Sequence, residues 1–156
     1  MKVLFLCTQN SCRSILAEAA LNHLAPDGVQ GYSAGSFPSG MVHPRSLETL
    51  RRKGVNRDAL RSKSWDELED LHPDVVITVC DKAAGETCPV FFGPALKAHW
   101  GMPDPATVTG TEEEIDAAFE SVFERLSRRI EVLLEALKAN PDLEQLQATL
   151  KRLETL

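Results

Sequence analysis

The sequence predicts an α/β fold: a three-layer open sheet of about four parallel strands with helices on both faces. Short apolar runs alternate with helical segments from residue 2 to residue 80, a pattern typical of strands joined by crossover helices. The first strand, helix and second strand form a βαβ unit, which favours parallel pairing. An amphipathic pattern over residues 112–138 predicts a long helix that packs on the sheet.

The N-terminal βαβ unit has clear boundaries in the sequence. The apolar run from Val3 predicts a buried strand that ends on Cys7, and Ser14 marks the start of the first helix. Residues 29–34 predict the second strand, which Gly35 closes.

Two further helices are predicted before the middle of the chain. Residues 44–53 carry apolar positions on one face, and Gly54 supplies the stop signal. Ser64 followed three residues later by Glu67 resembles a capping box, which predicts the start of a third helix.

The clearest buried strand covers residues 75–79 and ends on Cys80, and residues 97–100 predict a further short strand. In a parallel sheet, Cys7 and Cys80 would then lie at the same edge, where the strands end. Open α/β sheets bind ligands at that edge.

We expect residues 1–140 to form a single domain and residues 141–156 to form a C-terminal helical extension or tail. The last segment carries only a thin apolar stripe, so we expect a solvated tail rather than a docking or oligomer surface, and a monomer. The stripe consists of Leu143, Leu146, Leu150 and Leu153.

The overall charge of the chain limits its partners. A net charge of -6 argues against nucleic acid and membrane surfaces, which require a positive field. There is no long apolar span and no cleavable leader, so we expect a cytoplasmic protein. In a reducing compartment, its four cysteines are expected to be catalytic, redox-active or metal-binding rather than a structural disulfide frame.

The segment between the first strand and the first helix has the composition of an oxyanion-binding loop. Backbone N–H groups and the helix dipole favour an anion at such a junction. The Arg13 guanidinium would close the loop as a bidentate donor, and the same positive field would make Cys7 a nucleophilic thiolate. The candidate oxyanion-binding residues are Thr8, Gln9, Asn10, Ser11, Cys12, Arg13 and Ser14.

The cysteines of this loop also have a structural interpretation. A cysteine at the end of an apolar strand is usually a small core residue, but the residue types between Cys7 and Arg13 fit an anion site and offer a core little to pack. Cys12 is interpreted as a packing or loop-shaping residue, with a redox role as the alternative.

Asp104 is the candidate general acid. It lies between two prolines and near Trp100 and Met102, whose apolar surroundings would favour a protonated carboxyl. The alternative is a simple turn aspartate, because Asp-Pro is a common turn dipeptide.

Cys80 and Cys88 form a second candidate group. Their eight-residue separation does not suit structural zinc, which uses closely spaced cysteine pairs, so we favour a redox pair and predict no bound metal. If Cys80 can also reach Cys7, the three thiols form a relay, which would distinguish a reductase from a hydrolase.

Six motifs, in order along residues 2–138, resemble those of the thioredoxin-coupled arsenate reductases, which share their fold with low-molecular-weight protein tyrosine phosphatases. The motifs are Cys7-Thr8-Gln9-Asn10-Ser11-Cys12-Arg13-Ser14, Tyr32-Ser33-Ala34-Gly35, Thr78-Val79-Cys80, Cys88-Pro89, His99-Trp100-Gly101 and Asp104-Pro105-Ala106.

The resemblance implies a reaction. Arsenate, for which phosphate or sulfate is an analogue, enters the loop and is attacked by Cys7, while Asp104 protonates the departing oxygen. Cys80 then attacks Cys7 and releases arsenite, and Cys88 attacks Cys80. The resulting Cys80–Cys88 disulfide is reduced by thioredoxin or another small thiol, with no bound cofactor. In the family, positions equivalent to Ser33 and Asn10 shape the loop, and Ser14 is expected to hydrogen-bond the thiolate.

Some members of the family bind potassium, and the sequence departs from their pattern. Asn10, Glu18 and Ser33 match the ligands, but Lys63 occupies the fourth region and is a candidate to replace the cation.

Two alternatives to the reductase remain open. One is a phosphomonoesterase that uses Cys7, Arg13 and Asp104 alone, although the aromatic residue usual after Asp104-Pro105 in such phosphatases is missing. The other is a non-enzymatic sensor of oxidants, arsenite or a metal.

Overall fold

The computed structural model describes residues 1–81, 91 and 93–156. It confirms the predicted open sheet of four parallel strands, arranged in the order β2-β1-β3-β4. The strands are β1 (Lys2–Cys7), β2 (Gln30–Gly35), β3 (Val75–Thr78) and β4 (Leu96–His99).

Over residues 1–81, 91 and 93–156, four α-helices lie between and after the strands: α1 (Arg13–Leu24), α2 (Pro44–Arg52), α3 (Glu112–Leu137) and α4 (Leu143–Arg152). Side-chain caps explain where three of them begin, because the side chains of His43, Thr111 and Asp142 accept backbone N–H bonds from the first turns. Within the described part of the chain, no helix is long and apolar enough to cross a membrane.

The third predicted helix is only a single 3₁₀ turn, Trp65–Leu68, so that prediction was wrong. Ser64 does cap the turn, but the Glu67 carboxylate accepts a bond from Arg61 Nη2 at 2.8 Å instead of completing a capping box. With Leu68 as its last residue and a polar stretch after it, the segment has no apolar stripe to extend the helix.

Successive side chains of strand β1 point to opposite faces of the sheet and enter two different apolar layers. Val3, Phe5 and Cys7 face the larger core, to which α1, α3 and α4 contribute, whereas Leu4 and Leu6 face the other side of the sheet. On that second side, the described residues packed around Leu4 and Leu6 are Ala34, Val76, Tyr32, Trp65, Leu68, Phe91 and Ala95.

The C-terminal segment is folded onto the sheet and is not a solvated tail. Leu146 and Leu150 on α4 are buried in the larger core, as is Leu153. The indole Nε1 of Trp100 donates to the Leu150 carbonyl at 3.2 Å. The thin leucine stripe is sufficient because α4 lies at the sheet edge, where it packs on strand β4 and beside α3.

From the two central strands, the chain continues towards opposite edges of the sheet, because β2 lies beside β1 at one edge and β4 lies beside β3 at the other. A parallel sheet has its topological switch point at such a place, and ligands bind beyond the strand ends there. Cys7 ends β1, and Cys80 lies two residues beyond the end of β3.

Candidate active site

The loop between β1 and α1 turns its carbonyl groups outward. The Thr8 carbonyl accepts a bond from Phe37 N at 2.8 Å, and the Gln9 carbonyl accepts one from Ser39 N at 3.0 Å. In a trans peptide, the carbonyl and the following N–H point in opposite directions. The N–H groups that follow these two carbonyls are therefore directed towards the inside of the loop, as an anion cradle requires.

The N-terminus of α1 strengthens this cradle. Arg13 is the first helical residue, and the N-cap residue Cys12 makes no side-chain capping bond. The first turn also lacks an acidic residue. The helix therefore presents N–H groups and a positive dipole end to the loop, which favours a bound anion.

Gly35 permits the close packing between β2 and this loop. A Cβ atom at this position would lie 2.5 Å from the Thr8 carbonyl oxygen and 3.0 Å from Asn10 N. Any side chain would therefore displace the loop backbone, which explains why a glycine ends β2.

Cys7 is buried at the floor of the loop and accepts hydrogen bonds. Asn10 N donates to Cys7 Sγ at 3.2 Å, and Ser14 Oγ lies 2.9 Å from the same sulfur. Asn10 Nδ2 donates to Ser14 Oγ at 2.7 Å, which leaves the Ser14 hydroxyl proton to point at Cys7. Two donors aimed at one sulfur stabilise a thiolate.

Beneath Cys7 lies a group of four residues that we call the floor cluster: Asn10, Ser33, Glu18 and Lys63. Asn10 is fully buried with φ 50°, and its Oδ1 accepts from Lys63 N at 3.0 Å. Its Nδ2 also donates to Ser33 Oγ at 3.0 Å, and Ser33 donates to Glu18 Oε1 at 2.6 Å. Asn10 thus connects Cys7 to Ser33 and Lys63 in the interior.

The floor cluster carries its own positive charge. The Lys63 ammonium lies 3.7 Å from Glu18 Oε1 and donates to the Arg61 carbonyl at 3.1 Å. Burial raises the pKa of Glu18, although the Ser33 hydrogen bond and the Lys63 charge act in the opposite direction. A potassium ion at Glu18 would meet this ammonium, so the residues do not fit a bound cation. Among the described residues, no other group of acidic, histidine or cysteine side chains is arranged to hold a metal.

Arg13 closes the other side of the loop. Its Nη1 donates to the Met102 carbonyl at 3.0 Å, and its Nη2 lies 3.7 Å from Asp104 Oδ2. The Met102 carbonyl was not predicted, because a backbone acceptor leaves no signal in a sequence. Asp104 Oδ1 accepts from Ala106 N at 3.0 Å and so caps the turn, and Oδ2 faces Arg13 with the side chain about one-third exposed. Its role as a general acid stays a prediction.

The surroundings of Cys12 do not favour a nucleophilic thiolate. It is buried, with Ser11 Oγ 3.7 Å from its sulfur. Burial raises the pKa of the Cys12 thiol, although hydrogen bonds with Ser11 and Ser46 act in the opposite direction. A neutral thiol at this position favours the packing interpretation.

Cys80 is fully buried beside the strand that carries Cys7. The neighbouring Val79 donates its N–H to the Leu6 carbonyl at 3.0 Å, which aligns the ends of β1 and β3. Cys80 is disulfide-bonded, whereas Cys7 and Cys12 are free thiols. Cys88 lies outside the described residues, so its predicted role stays a prediction.

Comparison with known proteins identifies the family of this chain. The family model of the low molecular weight phosphotyrosine protein phosphatases matches residues 2–143. Among curated proteins, the chain is 35% identical over 136 residues to an arsenate reductase of Halalkalibacterium halodurans, covering 87% of this chain and 96% of that protein.

Solved structures of similar fold include a thioredoxin-dependent arsenate reductase of Corynebacterium glutamicum, with a TM-score of 0.67 and 28% identity. That match covers 90% of this chain but only 63% of the other. A second structure, described as an arsenate reductase in the phosphate binding state, has a TM-score of 0.69 and 27% identity, and covers 86% of this chain and 97% of its own.

Proposed function

We propose that this chain, which belongs to the low molecular weight phosphotyrosine protein phosphatase family, is an enzyme that reduces arsenate to arsenite. Three curated relatives, 34–39% identical to this chain and matched over 91–96% of their own length, carry the name arsenate reductase. We further propose that thioredoxin, or another small thiol, supplies the electrons, in line with the thioredoxin dependence of the Corynebacterium glutamicum protein.

The state of the thiols is the observation that carries this proposal. Cys7 is a free thiol at the floor of an anion-binding loop, while Cys80, at the end of the adjacent strand, is disulfide-bonded. A hydrolase of this fold needs only the first thiol. A second, oxidisable thiol at the same edge of the sheet supports a reductase.

In the first step, arsenate binds with its oxygens on the loop N–H groups and the Arg13 guanidinium. The Cys7 thiolate forms a sulfur–arsenic bond, and one arsenate oxygen leaves as water after Asp104 supplies a proton. The hydrogen bonds of Asn10 and Ser14 to Cys7 Sγ keep the sulfur directed into the loop.

In the second step, the Cys80 thiolate attacks the Cys7 sulfur. A Cys7–Cys80 disulfide forms, and the electron pair of the broken sulfur–arsenic bond passes to arsenic, so arsenate(V) leaves as arsenite(III). Cys88 then attacks Cys80 and frees the Cys7 thiolate. An external thiol pair reduces the Cys80–Cys88 disulfide and is itself oxidised by two electrons.

The test is an arsenate-dependent assay coupled to thioredoxin, thioredoxin reductase and NADPH. We expect turnover by the wild type, and loss of multiple turnover in Cys80→Ser and Cys88→Ser, while a single equivalent of arsenate still reacts with Cys7. Cys12→Ser is the matched control and should keep turnover. Full turnover by both Cys80→Ser and Cys88→Ser would contradict the relay.

A phosphomonoesterase is the second candidate, because such a reaction needs only Cys7, Arg13 and Asp104. The Arg13–Asp104 ion pair and the bond of Cys7 to Ser14, the residue after Arg13, support it. It predicts hydrolysis of an aryl phosphate that survives Cys80→Ser. Measuring arsenate and aryl phosphate turnover on the same preparations separates the two functions, because only the reductase depends on Cys80.

A further inference from the structure

Arg129 on α3 is a buried cation whose environment calls for an explanation. The residue is 1% exposed, which is rare for arginine unless a carboxylate accompanies it. It forms no ion pair with any described residue, and its Nε has no hydrogen-bond partner among them. Burial of this kind is costly for a charge, so the contacts that Arg129 does make are informative.

The two contacts of Arg129 join distant parts of the chain. Its Nη2 donates to the Glu154 carbonyl at 3.2 Å, beyond the end of α4. Its Nη1 donates to the Met102 sulfur at 3.4 Å. Because Glu154 Oε1 also accepts from His99 N at 3.0 Å, the C-terminal segment is anchored to β4 on one side and to Arg129 on the other.

Met102 therefore lies between two guanidinium groups. Arg129 holds its side chain, and its carbonyl accepts the Arg13 Nη1 bond at 3.0 Å. Met102 itself is 1% exposed, so its position is defined by these contacts and by core packing. Asp104, which faces Arg13 Nη2, follows only two residues later.

We propose that Arg129 is a positioning residue, which holds Met102 so that the Met102 carbonyl fixes the Arg13 guanidinium in its anion-binding orientation. The proposal rests on the role of Arg13 as the oxyanion ligand, which belongs to the proposed function. It also gives the C-terminal segment a part in the site, because Glu154 holds Arg129 from the opposite side.

Binding of inorganic phosphate to the reduced protein, measured by calorimetry, tests this proposal without turnover. We expect Arg129→Met to weaken phosphate binding about tenfold, because a loosened Met102 carbonyl no longer orients Arg13. Arg128→Met is the matched control. This neighbouring arginine is exposed on the same helix, so its loss should change binding by no more than about twofold.

The route through Met102 and Arg13 is tested by combining variants. Met102→Leu keeps the carbonyl and the bulk but removes the sulfur acceptor, so Arg129→Met should add little to it. In an Arg13→Lys background, the effect of Arg129→Met on phosphate binding should fall to about twofold or less. A purely structural role would instead give the same loss in every background.

Three outcomes would overturn the proposal: unchanged phosphate binding in Arg129→Met, an undiminished effect in the Arg13→Lys background, or a failure of the wild type to bind phosphate. If Arg129→Met does not fold, phosphate binding is measured on Met102→Leu and Arg129→Lys instead. Wild-type phosphate affinity in both of these variants would contradict the proposal. If the wild type binds phosphate but does not reduce arsenate, the proposed function fails while this inference stands.

Discussion

The two sides of the anion-binding loop are built in different ways. On one side, the floor cluster holds Cys7 through a continuous chain of hydrogen bonds of 2.6–3.2 Å, all of them buried. On the other, which we call the acid side (Arg13, Met102, Asp104 and Arg129), Arg13 donates to the Met102 carbonyl at 3.0 Å and forms a longer ion pair of 3.7 Å with Asp104.

The difference matches the work that each side has to do. A nucleophile needs a constant position and constant donors, and a fully satisfied polar network supplies these. In the proposed reaction, Asp104, about one-third exposed, exchanges protons with substrate and water, which a closed network would prevent. We therefore expect variants of the floor cluster to change stability, and variants of the acid side to change activity.

Asn10→Ala should have the largest effect. The substitution removes the three side-chain bonds of Asn10 to Ser14, Ser33 and Lys63 N, and it places alanine at φ 50°. We expect a loss of about 4 kcal/mol in the free energy of unfolding, measured by urea denaturation. Asn22→Ala is the control.

That control removes two bonds between Asn22 and Gly31, away from the loop, and should cost only about 1 kcal/mol with normal arsenate turnover. Equal losses in the two variants would mean that the floor cluster has no special weight in stability.

Lys63→Met should rank second. It leaves the buried Glu18 carboxylate without its cation, and breaking a buried pair in this way costs about 3 kcal/mol of unfolding free energy. Adding Glu18→Gln should recover most of that loss. Lys53→Met, which removes a surface cation paired with Glu120, is expected to cost less than about 1 kcal/mol. A Lys63→Met protein as stable as Lys53→Met would contradict the assignment.

Asp104→Asn should affect activity and leave stability nearly unchanged. Asparagine can still accept the Ala106 N–H bond, so the turn persists, but the proton donor is gone. We expect turnover to fall about 100-fold with little change in melting temperature. Asp116→Asn, with a similarly exposed carboxylate on α3, should retain turnover. A stability loss without an activity loss would leave Asp104 as a turn residue only.

The smallest effect is a pH dependence of stability that comes from Glu18. Burial raises the pKa of this carboxyl in the folded state, so the folded protein binds the Glu18 proton more tightly than the unfolded chain does. Stability should therefore decline as pH rises from the ordinary pKa of 4.5 through the raised value, and then level off. Unfolding curves from about pH 4 to pH 8 should show a shallower decline in Glu18→Gln.

Much of the site was accessible from the sequence, because the loop is local. Cys7, Asn10, Arg13 and Ser14 lie within eight residues of one another, so their order along the chain nearly defines their arrangement. Asp104 is distant in sequence, but its setting between prolines singled it out. The structure places it opposite Arg13.

Two predictions were wrong, and both concern short segments whose structure depends on packing against elements distant in sequence. The Ser64 signal was a real cap, but only tertiary packing decides whether the turn continues as a helix. The leucines after Pro141 formed too thin a stripe to predict burial, since the edge strand that they cover lies far away in sequence.

The sequence by itself determined the order of the four strands and the position of Cys7 and its loop at a strand–helix junction, because these depend on local runs and on spacing. Only the tertiary structure decided which groups hold that loop. The Lys63 ammonium beside Glu18, the Met102 carbonyl on Arg13 and the buried Arg129 behind it come from segments far apart in the chain. Backbone acceptors and buried partners of this kind are chosen by packing.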